Sequence, residues 1–201
     1  MQTDQRIVVA MTELLRRQGY AATGVKQVID AAGAPNGSIY HHFPGGKRKV
    51  AEAALRQSGA AYAELVASLI APHENLVEAI EAAFVAAADD MEQAGWMNLC
   101  PVGTVAGETA DAEPDLRLAA AEVFESWMTM GAQLFASYGL DDDDARSLIV
   151  ALVSSLEGAF IVARTLRSRE PILAAGRSMA AYAAAMPTHT VGASSGRQPA
   201  S

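Results

Sequence analysis

TGVKQVIDAAGAPNGSIYHHFPGGK, residues 23 to 47, reads as two short helices separated by a glycine turn and followed by an aromatic and basic exit. That is the layout of a helix-turn-helix DNA reader. Val25, Val28, Ile29 and Ala32 fill positions i, i+3, i+4 and i+7, so one face of the first short helix can be buried. Thr23 is placed to cap this helix through its hydroxyl, and Gly33 to stop it in the left-handed region. Pro35 suits a helical first turn, because its φ is fixed and its missing N–H would be unpaired there. The second helix is therefore expected over about Asn36 to His41, with the small or polar Asn36, Gly37 and Ser38 facing outward and Tyr40, His41 and His42 following.

Working outward, Ile7, Ala10, Met11, Leu14 and Leu15 occupy i, i+3, i+4, i+7 and i+8, which predicts an amphipathic helix from Thr3 to Gln18, ended by Gly19. It supplies hydrophobic cover that two short helices lack. Residues 1 to 57 hold eight Lys or Arg against four acids, a net of +4, while the whole chain of 201 residues carries −8 and its remainder therefore −12. A basic module on an acidic body directs one end at a phosphate backbone.

The segment GYAATGVKQVIDAAGAPNGSIYHHFPGGK resembles the N-terminal domain of the TetR family of transcriptional regulators. GSIYHHFPGGK, with Cys100-Pro101-Val102-Gly103 later, is similar to the LmrA-like branch, whose members respond to lincomycin or flavonoids. The DNA-binding resemblance covers about the first quarter of the chain. Gly24 after the cap and Pro35-Asn36 at the recognition helix depart from the family pattern. In the mechanism this reading suggests, Pro35, Asn36, Gly37, Ser38 and Tyr40 face base edges with Lys26 and Gln27 at the margin. The resemblance implies that Thr23, Tyr40, His41 and Lys47 hold phosphates; Phe43 is read as a hydrophobic plug.

At 51% hydrophobic the chain can bury a sizeable core, and its many alanines and few aromatics favour an all-α body. The expected organisation is a helix-turn-helix domain over 1–46, an effector-binding and dimerisation domain over 47–186 and a flexible tail over 187–201. Helices are predicted from Gly46 to Ile70, Asn75 to Ala94, Pro114 to Tyr138, Asp142 to Arg167 and Pro171 to Ala185, with Gly95 to Asp111 irregular or containing a short helix. One cysteine excludes an internal disulfide, and no signal pattern opens the chain, which fits a cytoplasmic location. The apolar run from Leu148 to Val162, broken by Ser154, Ser155 and Glu157, reads as too short and polar to span a membrane.

The helix after Asp141 is apolar on more than one face, so one side needs a partner. Ser154, Ser155, Gly158 and Ile161, with Ile172, Ala175 and Met179 of the next helix, are the expected homodimer interface, which the resemblance also implies. Two recognition helices about 34 to 36 Å apart would read a near-palindromic double-stranded DNA operator. Phe84, Trp96, Cys100, Trp127, Met128 and Phe160 form an aromatic and Met-rich set. Each suits a plain core, while the resemblance implies that some enclose a small apolar or aromatic effector. Asn98, Glu108 and Ser126 are candidate polar contacts there.

Other chemistries are weaker. Cys100 as an oxidation sensor competes with Cys100 as a buried hydrophobe. Adjacent His41 and His42 diverge on a helix and lack acidic or Cys neighbours, so no metal site is expected, and Asp141 to Asp144 read as helix caps. No nucleophile, base and orienter set suggests an enzyme, and no cofactor is expected. The chain thus reads as a ligand-responsive dimeric regulator, with repression implied by the resemblance. The competing class is a helical small-molecule-binding protein or enzyme whose N-terminal helices only pack.

Overall fold

A computed structural model describes residues 1–109 and 111–189; residues 190–201, with most of the expected tail, lie outside the described residues. Among the described residues the chain is nine helices and no strand: α1 (Thr3–Gln18), α2 (Val25–Ala32), α3 (Ser38–His42), α4 (Lys47–Ile70), α5 (Leu76–Gln93), α6 (Pro101–Thr109), α7 (Pro114–Ala136), α8 (Asp142–Leu166) and α9 (Glu170–Ala184). The expected helices are all present, and the irregular stretch contains the short α6.

Two corrections fall at the turn. Thr23 does not cap α2: Gly24 is the cap residue, its N–H donating to Gln27 Oε1 at 2.8 Å. The recognition helix starts at Ser38, not Asn36. Gly37 has φ +89° and ψ −13°, and Ser38 N–H donates to Pro35 O at 3.1 Å, so residues 35 to 38 form a type II turn. A residue at positive φ cannot continue a right-handed helix, which leaves α3 only five residues long.

Two apolar cores organise the rest. The first joins Ile7, Met11 and Leu15 of α1, Val28 and Ile29 of α2, Ile39 of α3 and Val50 and Leu55 of α4 with Val102 and Val105 of α6 and Leu116 and Val123 of α7. The second joins Ile70 with Ile80 and Phe84 of α5, Phe135 of α7, Leu148 of α8 and Ile172 of α9. Helices α4 and α7 reach into both. Gly59 lets them approach: a Cβ there would collide with Val123, and Trp127 Nε1 donates to Gly59 O at 2.8 Å. Ion pairs Arg48–Asp115 (3.3 Å) and Arg56–Glu122 (2.8 Å) continue this seam.

By length and composition α8 is apolar enough to cross a membrane, contrary to the expectation from Ser154, Ser155 and Glu157. In the fold it packs against α7 and α9. At the far end, His189 N–H donates to Gly139 O at 2.8 Å, so the first residues of the expected tail dock on the α7–α8 turn.

Candidate nucleic-acid interface

The head is braced from inside. Arg6 Nε donates to Ala32 O (3.0 Å), tying α1 to the end of α2, and Gly33 takes the left-handed φ of +56° that the turn requires. Phe43 packs partly buried against the first core, as its reading as a plug anticipates. The outer surface is left to Pro35, Asn36, Gly37 and Tyr40, the last 64% exposed, with Ser38 half-buried between them. His41 and His42 follow, both exposed, with ring centroids 4.9 Å apart and nearly perpendicular. Lys26 projects into solvent and pairs with Asp30 at 2.6 Å. Gln27 is exposed, its Oε1 occupied by the Gly24 amide and by Gln18 Nε2 at 3.3 Å.

Two expected phosphate holders sit differently. Thr23 is 1% exposed and its hydroxyl donates to Gly19 O at 2.6 Å, so its polar group is consumed inside the α1–α2 turn. Lys47 folds back over the Tyr20 ring, Nζ 3.9 Å from the centroid, and burial lowers its pKa against the opposing pull of Glu108 and Glu113. Burial likewise raises the Tyr20 pKa.

Glu108, on α6, is the residue whose role the sequence disguised. Its carboxylate accepts from Tyr20 N–H (2.6 Å) and Ala21 N–H (2.7 Å), clipping the end of α1 to the body. It lies at the head–body junction and not beside the aromatic set. Arg164 Nη2 reinforces the junction by donating to Arg17 O at 2.9 Å.

The expected effector residues are divided between the two cores. Cys100 and Trp127 belong to the first core, Phe84, Trp96 and Met128 to the second, and Phe160 touches both. Phe84 is fully enclosed, filling the space left by Gly176. Cys100 is 4% exposed, the setting of a buried hydrophobe; burial first, then neighbouring Glu157, hold its thiol well above the usual pKa. Asn98 bonds to Asp90, and exposed Ser126 contacts Met130 Sδ at 3.8 Å.

Of the expected dimer residues, Ser154, Gly158 and Ile161 are exposed, while Ser155, Ala175 and Met179 are half-buried, Ser155 Oγ lying 3.6 Å from Met179 Sδ. Ile172 is 0% exposed inside the chain's own core and cannot reach a partner. Val150, Ser154, Gly158, Ile161, Val162 and Leu166 make a continuous exposed stripe on α8 at helical spacing.

The profile described as "Bacterial regulatory proteins, tetR family" matches residues 7–54, and that of the "Transcriptional regulator LmrA/YxaF-like, C-terminal domain" matches residues 77–178. The chain belongs to the TetR family. An HTH-type transcriptional regulator of Mycobacterium tuberculosis (strain H37Rv) is 34% identical to it over 84% of this chain and 87% of its own length. YxaF, an HTH-type transcriptional regulator of Bacillus subtilis, is 31% identical over 84% of this chain and 88% of its own. Among solved structures, a regulatory protein TetR from Rhodobacter sphaeroides superimposes with a TM-score of 0.79 at 26% identity, covering 90% of this chain and 99% of that one. The all-α fold, with its N-terminal helix-turn-helix domain and C-terminal helical domain, is thus a TetR fold, and the chain is a TetR-family transcriptional regulator with an LmrA/YxaF-like C-terminal domain.

Proposed function

We propose that this regulator is a cytoplasmic homodimeric repressor that binds a near-palindromic operator and is released by a small apolar or aromatic effector. The observation that carries the reading is the exposed surface of Pro35, Asn36, Gly37 and Tyr40, held on a braced, net basic head while the rest of the chain is acidic. In this reading Asn36, Ser38 and Tyr40 contact base edges, Pro35 and Gly37 allow close approach, and Lys26 and Gln27 lie at the margin. His41 holds phosphate, as does Lys47 once it leaves the Tyr20 ring; Thr23 acts only by shaping the turn. The α8 stripe with Ser154, Gly158 and Ile161 at its centre supports the dimer, since an unpaired apolar stripe of this length calls for a partner helix.

The test is a mobility shift on the promoter DNA beside the protein's own gene. Asn36→Ala and Tyr40→Ala should each weaken the specific complex by about 1–3 kcal/mol with helicity unchanged. Lys47→Ala should weaken all sequences alike and flatten the slope of log affinity against log salt by about one unit. Unchanged affinity in all three variants would move weight to a helical binding protein or enzyme whose head only packs.

A further inference from the structure

Glu157 is the only charged residue on α8 between Arg146 and Arg164, and it points inward. Its carboxyl lies against the backbone of α6 at Gly103, where any Cβ would occupy the carboxylate's own place. Among the described residues no backbone or side-chain nitrogen donates to it. The Cys100 thiol lies against it, and burial raises its pKa. Tyr62, also half-buried, faces the same interior from α4, its ring centroid 6.3 Å from that of Trp127. Phe160 stands one turn beyond Glu157 on α8. A half-buried carboxyl with no cation paired to it, close to aromatic residues, is unfavourable for the empty protein. The same surroundings suit a ligand cation, which both the carboxylate and the ring faces attract.

We infer that Glu157 is the recognition carboxyl of an effector site between α4, α6 and α8 that takes an aromatic molecule carrying a protonated amine. The inference rests on the effector-responsive reading above and names its ligand class. Arg16 does not answer the charge: it is within 3.4 Å of Glu13, and its guanidinium carbon lies 5.5 Å from the Tyr62 centroid. Its buried Nε is unbonded, which makes an anionic ligand the competing outcome. The site also lies on the path to the head, because α6 meets Glu157 at Gly103 and clips the end of α1 through Glu108.

The experiment is calorimetric titration of the full-length protein with 1-naphthylmethylamine, 1-naphthylmethanol and 1-naphthoate, with operator release measured in parallel. The amine should bind about tenfold tighter than the alcohol, and Glu157→Gln should erase that preference. Glu157→Met, apolar and of similar length, is the second variant should the first not fold, with the same expectation. Equal binding of amine and alcohol, a preference that survives both variants, or no binding of any probe would overturn the inference. Tightest binding of naphthoate, lost in Arg16→Gln, would overturn it in favour of an anion. An alcohol or naphthoate that binds at least as tightly as the amine and releases the operator would sink the amine site yet keep the effector-responsive reading. Glu157-dependent amine binding with operator affinity unmoved would support the site and remove that reading.

Discussion

Thr23 turns its hydroxyl inward onto Gly19 O, where a neighbouring surface residue would turn it to solvent. Replacing it with the nearly isosteric Val leaves that carbonyl without its side-chain donor, a loss of about 1–3 kcal/mol. Thr23→Val should therefore lower the melting temperature by about 2–4 °C per kcal/mol lost, with the salt slope of DNA binding intact. A normal melting temperature with a slope reduced by one unit would instead make Thr23 a phosphate contact. Glu157 gives a second test at this scale. Its folded pKa is raised, first by burial, so its contribution favours the fold below the ordinary carboxylate range and is lost as pH rises through the folded pKa. Cys100 and Tyr62 beside it are themselves raised, Tyr62 to about 12, and stay protonated throughout that window. Glu157→Gln should thus match the parent protein's melting temperature near pH 4 and exceed it near pH 8. A constant offset across that range would remove burial as the cause.

Helix α6 is the element whose part in the molecule is larger than its length. Nine residues long, it touches the interior carboxyl at one end and carries the Glu108 clip at the other. The clip is solvent-exposed, so its two bonds together are worth about 1 kcal/mol. Glu108→Ala should lower the melting temperature by a few degrees and speed hydrogen exchange at the Tyr20 and Ala21 amides specifically. Unaltered exchange there would mean that the clip does not restrain the head. The sequence makes some elements legible and hides others for identifiable reasons. α1 is plain because five apolar residues keep strict helical spacing up to Gly19. The start of α3 is hidden because Pro35 suits a helix start, and only the φ of Gly37 reveals that it opens a turn instead. Glu108 looked like a pocket contact because its partners lie 87 and 88 residues away in sequence, a pairing no local pattern carries. Ile172 looked like interface for a related reason: α9 is apolar on several sides, and only its packing against α5 shows which side the chain keeps for itself.

For the whole molecule, the α8 stripe carries the prediction. Ile161 and Leu166, 62% and 63% exposed, are its most open apolar members. A charge placed there would be desolvated in any partner contact and repelled by its own copy across a two-fold axis. Ile161→Asp should give a folded monomer by sedimentation, with operator affinity down about 100-fold because a single head keeps only its own half-site. A dimer that survives this substitution would place the interface elsewhere. The first core has a different consequence, for engineering. Its residues come from the helix-turn-helix, the first half of α4, α6 and the start of α7, so the head and part of the body share one hydrophobic interior. A chimera made by cutting behind residue 46 and grafting the head onto another regulator would separate Met11 and Val28 from Val102 and Leu116. Under the proposed base contacts, exchange of operator specificity between such proteins is a matter of resurfacing Pro35 to Tyr40 on an intact scaffold, since the head is no cassette.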